Sequence, residues 1–196
     1  MKFKQSKMKL VKITALALIL MASYNCKEAK KEANEAVPEM EEVNEEVEMI
    51  SFKMEPKSDS GVSGEVTFVS ENDRVSMVGT FSGLTPGEHA IHIHEKADCS
   101  AADGTSTGGH WNPTAEPHGK WGDEGGFHRG DIGNFTADVN GDARVEFSTD
   151  LWCLGCDDEN KNIVGKAVIV HQGLDDFTTQ PTGAAGSRVS CTGIIN

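Results

Sequence analysis

Val62-Ser-Gly-Glu-Val-Thr-Phe-Val69 and Arg74-Val-Ser-Met-Val-Gly-Thr-Phe81 each alternate apolar with small or polar residues. A period of two sends alternate side chains to opposite faces of a strand. Glu71-Asn72-Asp73 lies between them, a turn cluster that makes the pair a hairpin. Working outward, Leu84-Thr-Pro-Gly87 reads as a turn and His89-Ala-Ile-His-Ile-His94 as the next strand. Ile132 to Val139 follows, then the turn Asn140-Gly141, then Ala143 to Ser148, and later Gly165 to His171. Upstream, Val47, Met49 and Ser51 alternate less cleanly with Glu48, Ile50 and Phe52. No sustained helical period occurs after residue 48. Short strands at regular spacing with Gly-rich turns predict an all-β domain, a Greek-key barrel or sandwich.

The chain has 196 residues, 18 Lys+Arg against 31 Asp+Glu, and a net charge of −13. That length favours one domain. The charge excludes a protein that grips nucleic-acid phosphates, which needs a basic face. Residues 1–12 carry five Lys and no acid, and the apolar run Ile13 to Ala22 follows. A basic segment before a short apolar one predicts a secretory signal over residues 1–25. The run is too short for a membrane span. Cys26 stands just past it, which predicts lipoprotein processing and membrane anchoring through a lipidated Cys26. Ala22-Ser23-Tyr24-Asn25 is a weak lipobox, because Asn25 is bulky and Ser23 stands where Leu is usual. Cleavage after Ala22, with Cys26 as an ordinary thiol, is the alternative. Residues 27–48 hold nine Glu and three Lys, a composition that buries little apolar surface. Residues 26–45 therefore read as an acidic flexible linker, with a short solvated helix as the alternative, and residues 46–196 as the folded domain.

The histidines gather in that domain. His92 and His94 are two apart on a strand, so both imidazoles share one face and Ile91 and Ile93 take the other. A lone strand histidine is more often a structural hydrogen bonder, but two on one face form a metal bite. From Cys99 to Gly130 there is little regular pattern, and a loop this long in a compact domain is usually held by something. His110, His118, His128 and Asp131 lie in or beside it. Three imidazoles and a carboxylate suit tetrahedral Zn²⁺, whose binding would order the loop. Solvated loop residues are the plainer reading of the same four.

Taken together, His92-Ile-His94, Gly109-His-Trp-Asn-Pro113, His118-Gly119, His128-Arg-Gly-Asp-Ile-Gly-Asn134, Val170-His171 and Gly186-Ser-Arg-Val-Ser-Cys191 resemble the copper/zinc superoxide dismutases. The resemblance runs from about residue 46 onward. It is closest to the exported bacterial branch, by His89-Ala-Ile-His-Ile-His-Glu-Lys96 and Thr179-Gln-Pro-Thr182. It implies an immunoglobulin-like Greek-key β-barrel with a long metal-binding loop. It implies copper on His92, His94, His110 and His171, and zinc on His110, His118, His128 and Asp131, with His110 bridging both. Asp175 matches the carboxylate that links a copper histidine to a zinc histidine, here His92 and His118. Arg188 matches the arginine that receives the anion, and His110 takes part in the proton transfer. Cys99 and Cys191 match a disulfide, and His89 matches a structural histidine. The implied activity is antioxidant dismutation of superoxide to O₂ and H₂O₂ outside the cytoplasm, in the periplasm or envelope, by a monomer or a homodimer. Asp175-Asp-Phe-Thr-Thr-Gln-Pro181 departs from the family in having no Lys, where members commonly place one, so steering of the anion is expected to be weaker.

Trp152-Cys-Leu-Gly-Cys156 is a second departure. In an exported protein Cys153 and Cys156 read first as a local disulfide. A redox-active pair lacks its usual surrounding pattern. An extra thiolate site for Cu(I) is the third reading. Two other functions compete with the enzyme: a copper-buffering protein of the same fold, and an adhesive β sandwich. The complete ligand set with Arg188 and Asp175 speaks for the enzyme, and clustered histidines speak against simple adhesion.

Overall fold

A computed structural model of the protein describes residues 47–195. The signal of residues 1–25, Cys26, the linker of residues 26–45 and the first residue of the expected domain lie outside the described residues.

Among the described residues there are eight strands and no α-helix. They are β1 (Glu48–Pro56), β2 (Ser63–Glu71), β3 (Arg74–Ser82), β4 (Gly87–His94), β5 (Gly133–Ala137), β6 (Ala143–Thr149), β7 (Ala167–His171) and β8 (Arg188–Gly193). All pair antiparallel, in the order β5-β4-β7-β8-β1-β2-β3-β6. The end strands β5 and β6 lie against each other, so the sheet curls into a nearly closed barrel. The β3–β4 and β6–β7 connections join strands that are not neighbours, which is the Greek-key arrangement expected.

The hairpin that decides the fold is in register from Ser63 opposite Ser82 to Glu71 opposite Arg74. Its turn residues Asn72 and Asp73 have φ of 53° and 55°. A two-residue turn with both φ positive matches the twist of the strands, and Asn and Asp tolerate that region. Val66 and Phe68 of β2 and Val75, Met77 and Phe81 of β3 are buried in the barrel. Each such side chain contributes about 1.5–3 kcal/mol on burial.

The inward set of β1 is Ile50, Phe52 and Met54, while Met49 is 67% exposed. The sequence alternation suggested no clear phase there. Pairing decides it, because Ile50 opposite Phe68 and Phe52 opposite Val66 share the face of the β2 core residues. Strand β8, between β7 and β1, was not visible in the periodicity at all. Both its faces are covered: Val189 joins the core, Cys191 faces out beneath the long loop, and Ser190 Oγ donates to Glu55 O at 3.0 Å.

The same double coverage holds for β4 and β7. Ile91, Ile93, Val168 and Val170 fill the interior, and Ala167 and Ile169 pack outside with Cys191 and Cys99. The long loop therefore covers the outer face that carries His92 and His94. A backbone seam fixes it there: Ile93 N donates to Gly130 O at 2.9 Å, Trp111 N to Ile93 O at 2.8 Å and Gly130 N to Trp111 O at 2.9 Å. A Cβ on Gly130 would collide with Ile93 O, so this approach requires glycine. The structure also joins Cys99 to Cys191, tying the loop to β8, and Cys153 to Cys156.

Candidate metal centre

The period of two on β4 sends His92 and His94 to one side, and β7 brings His171 to the same place beside them. The seam carries His110 to a bridge with His94. His92, His94, His110 and His171 each offer a ring nitrogen within 4.8 Å of the others, and all four are buried. His110, His118, His128 and Asp131 form a second such group, also buried. His110 belongs to both.

Hydrogen bonds fix which nitrogen each ring presents. A carbonyl only accepts, so a nitrogen bonded to one must carry the proton. His94 Nδ1–H donates to Gly108 O at 3.0 Å and His171 Nδ1–H to Gly186 O at 3.3 Å. Their Nε2 atoms then face each other as lone pairs, 3.4 Å apart. Burial, with neighbouring imidazoles adding to it, holds both rings far below their ordinary pKa, so neither takes a proton to relieve the repulsion. His92 Nε2 donates to Asp175 Oδ2 at 2.9 Å, and its Nδ1 is buried without a partner. Burial lowers this ring too, against the pull of Asp175. His110 Nε2 is likewise buried and unpartnered, while its Nδ1 lies 2.8 Å from Asp131 Oδ1. Converging, unprotonated, buried nitrogens are a donor set for a cation that prefers imidazole.

In the second group His118 Nδ1 lies 2.9 Å from Asp131 Oδ2 and His128 Nδ1 3.2 Å from Asp131 Oδ1. Neither contact has hydrogen-bond geometry, and both nitrogens count as unpartnered. Short distances without alignment are what ligand atoms around a shared central point show. Burial would raise the Asp131 carboxyl, but the imidazoles of His110, His118 and His128 outweigh it and hold it far below the carboxylate range. Burial lowers His110 to about 4 although Asp131 opposes it. His118 goes the other way: burial pushes it down, but Asp131 and Asp175 hold it up at about 9. The two carboxylates thus make this pocket one that holds positive charge. Residues and chemistry fit a divalent cation of the zinc type here and a copper ion in the all-imidazole group.

Asp175 spans the two groups. Its Oδ2 accepts from His92, and its Oδ1 accepts from His118 Nε2 at 2.9 Å and from Phe177 N at 2.7 Å. A Cβ on Gly183 would collide with Asp175 and touch His118, so the close approach depends on that glycine, with φ of 62°. Arg188 stands opposite His171 across the β7–β8 ladder. Its Nη1 donates to Gly104 O at 2.7 Å and Thr107 Oγ1 at 2.9 Å, and its Nη2 to Gly108 O at 2.8 Å. These use three of the five guanidinium N–H groups. Burial lowers the Arg188 pKa from its ordinary value, with Asp103 opposing.

The structure brings every expected residue of both groups together, with Asp175 joining them and Arg188 beside His171. His89 lies apart, with Nδ1 2.9 Å from His171 O and Nε2 2.8 Å from Thr85 O. Supporting residues went unread. Thr107 braces Arg188. Asn134 exchanges two hydrogen bonds of 2.8 Å with the Asp175 backbone. Gln180 clamps the His118 backbone from both sides, at 2.9 and 2.8 Å. Asn134 and Gln180 sit inside the quoted motifs, which was their only signal. Cys153 and Cys156 are bonded to each other, so no thiolate pair stands there.

The family described as copper/zinc superoxide dismutase (SODC) matches residues 62–195. The chain belongs to that family. Strand β1 precedes the matched residues. The chain is also similar to an extracellular superoxide dismutase [Cu-Zn] of Caenorhabditis elegans, 34% identical over 147 residues, 71% of this chain and 64% of the relative. The chain thus spans under two thirds of that relative's length.

Proposed function

We propose that the chain is an exported copper/zinc superoxide dismutase, an antioxidant oxidoreductase that converts two superoxide anions and two protons to O₂ and H₂O₂. The observation that carries the reading is His110: one buried imidazole whose two nitrogens serve two different ligand groups. His92, His94, His110 and His171 hold copper, and His110, His118, His128 and Asp131 hold zinc. Bound copper would supply a one-electron centre, and bound zinc a fixed positive charge.

The chain's own residues do the rest. Arg188 binds the anion with the guanidinium donors that its three backbone and hydroxyl contacts leave over. Those contacts hold the fork still, so little ordering is required when the anion arrives. Asp175 fixes the tautomers of His92 and His118 by accepting their Nε2 protons. His110 Nε2 is the atom at which the chain can hold one of the two protons consumed. The covered outer face of β4 and β7 keeps bulk water away from the imidazoles, which strengthens these interactions.

Export, periplasmic or envelope location and anchoring through Cys26 are part of this proposal and rest on residues 1–48, and the bacterial branch rests on His89 to Lys96 and Thr179 to Thr182. Assembly as a homodimer rests on the family resemblance alone and is read by sedimentation. Copper buffering by a thiolate pair finds no support, since the sulfurs of Cys153 and Cys156 are joined.

The test is metal content per chain together with superoxide turnover on the purified chain. One copper, one zinc and fast turnover are expected. Full metal with negligible turnover would replace the enzyme by a copper carrier.

A further inference from the structure

Trp152 is 1% exposed and among the largest fully buried side chains. Its indole Nε1–H donates to Arg129 O at 2.8 Å. Arg129 follows His128 directly and stands two residues before Asp131. The Trp152 ring also packs on Trp121 of the same long loop, with centroids 5.9 Å apart, and on Phe147 at 4.9 Å and Phe68 at 6.5 Å. Trp152 thus grips the loop that carries the second ligand group at two points.

The residue next to Trp152, Cys153, is itself fixed on both sides of its backbone and at its sulfur. Between β6 and β7 the chain runs without regular strand, from Asp150 to Lys166. Within it Cys153 N donates to Lys161 O at 2.9 Å and Ile163 N to Cys153 O at 3.1 Å. The disulfide from Cys153 to Cys156 is the one covalent clasp in this connection. Both sulfur-bearing residues are half-exposed and line an open cavity of about 700 Å³ with Glu71, Asp73, Asp150 and Lys161. Cys191 of the other disulfide is fully buried.

We infer that Trp152, clasped by the Cys153–Cys156 disulfide, is a positioning residue for the zinc group, so that this disulfide sets the affinity for zinc. The inference rests on the reading of His110, His118, His128 and Asp131 as the zinc site. A dithiol reductant opens the clasp through the cavity: its two sulfurs form a disulfide, and two electrons and two protons pass to Cys153 and Cys156 as thiols. Cys191 is fully buried and Cys99 half-buried, so the Cys153→Ser/Cys156→Ser variant opens this clasp with the Cys99–Cys191 bond left intact. Trp152 then loses its fixed neighbour, and the Arg129 carbonyl loses the donor that orients the turn between His128 and Asp131.

The experiment uses the full chain as wild type, as Trp152→Phe and as the Cys153→Ser/Cys156→Ser double variant. Zinc affinity is read by chelator competition, copper affinity separately, and Co²⁺ placed in the zinc group reports geometry through its visible bands. Loss of a direct outer partner of a metal ligand typically costs about 10–100-fold in affinity, and Trp152 acts one residue further out, through the Arg129 carbonyl, so the low end applies. About tenfold weaker zinc is expected in both variants, with altered Co²⁺ bands and copper within about twofold. Wild type reduced by a dithiol and alkylated at Cys153 and Cys156 should behave the same way. Unchanged zinc affinity and Co²⁺ bands, even with a lowered melting temperature, would make Trp152 a packing residue only and overturn the inference. Should Trp152→Phe fail to fold, the double variant alone decides. A wild-type chain that takes up no zinc would overturn the metal reading and this inference with it.

Discussion

Replacing Asp175 by Asn should cost the chain copper and spare zinc. The asymmetry follows from the hydrogen bonds. Asp175 Oδ1 accepts from two donors, His118 Nε2 and Phe177 N, whereas Oδ2 accepts from His92 Nε2 alone. An amide has one acceptor and one donor end. The oxygen stays where two N–H groups point at it, so the NH₂ faces His92. His92 Nε2 must then accept, which moves the ring's proton to Nδ1, the atom aimed at the copper group. Losing such an outer partner typically costs about 10–100-fold in metal affinity, or about 1.4–2.7 kcal/mol. The assay is chelator competition for each metal alone, on purified wild type and variant. Copper should weaken by that factor and zinc by less than about threefold. Weakened zinc with unchanged copper would refute the tautomer reasoning, and so would two unchanged affinities.

His110→Ala should disturb both metals and His171→Ala only copper, as read from metal content; equal zinc loss in both would sink the bridge. The metal-free protein should be most stable near pH 6.5 by chemical denaturation. His118 is raised to about 9, so its contribution is complete below 6.5 and lost as pH rises toward 9. His110 is lowered to about 4, so its contribution is present above 6.5 and lost as pH falls toward 4. A midpoint that climbs steadily from pH 6.5 to 9 would contradict this. Arg188→Ala should lower turnover and weaken inhibition by small anions by about 10–100-fold, since a charge-assisted hydrogen bond is worth about 1.5–3 kcal/mol; an effect on metal content instead would assign Arg188 to the scaffold.

Where one face of a strand is core and the other is not, the sequence was readable. The β2–β3 hairpin, its Asn72-Asp73 turn and the histidine pair on β4 all follow from a period of two. β8 was unreadable by the same rule, because both faces are covered and Val189, Ser190 and Cys191 are all buried. The phase of β1 was ambiguous because Met49, Ile50 and Phe52 are all apolar, and only the partner strand chooses among them. The side chains of the two candidate ligand groups were legible as residue types at particular positions. What orients them was not: the carbonyls of Gly104, Gly108 and Gly186 and the seam at Gly130 are backbone groups, which leave no mark in side-chain pattern. Trp152 was quoted beside the cysteines, but nothing in a linear sequence points its indole at Arg129.

The two ligand groups share His110 outright and share Asp175 through His92 and His118. Neither can be filled without changing the other. A cation held by either group would orient the His110 ring and alter the basicity of its other nitrogen. Thermodynamic reciprocity then demands that zinc change the copper affinity by the same factor as copper changes the zinc affinity. The two loadings are therefore one coupled equilibrium, and titrating each metal with and without the other should return a single factor from both directions.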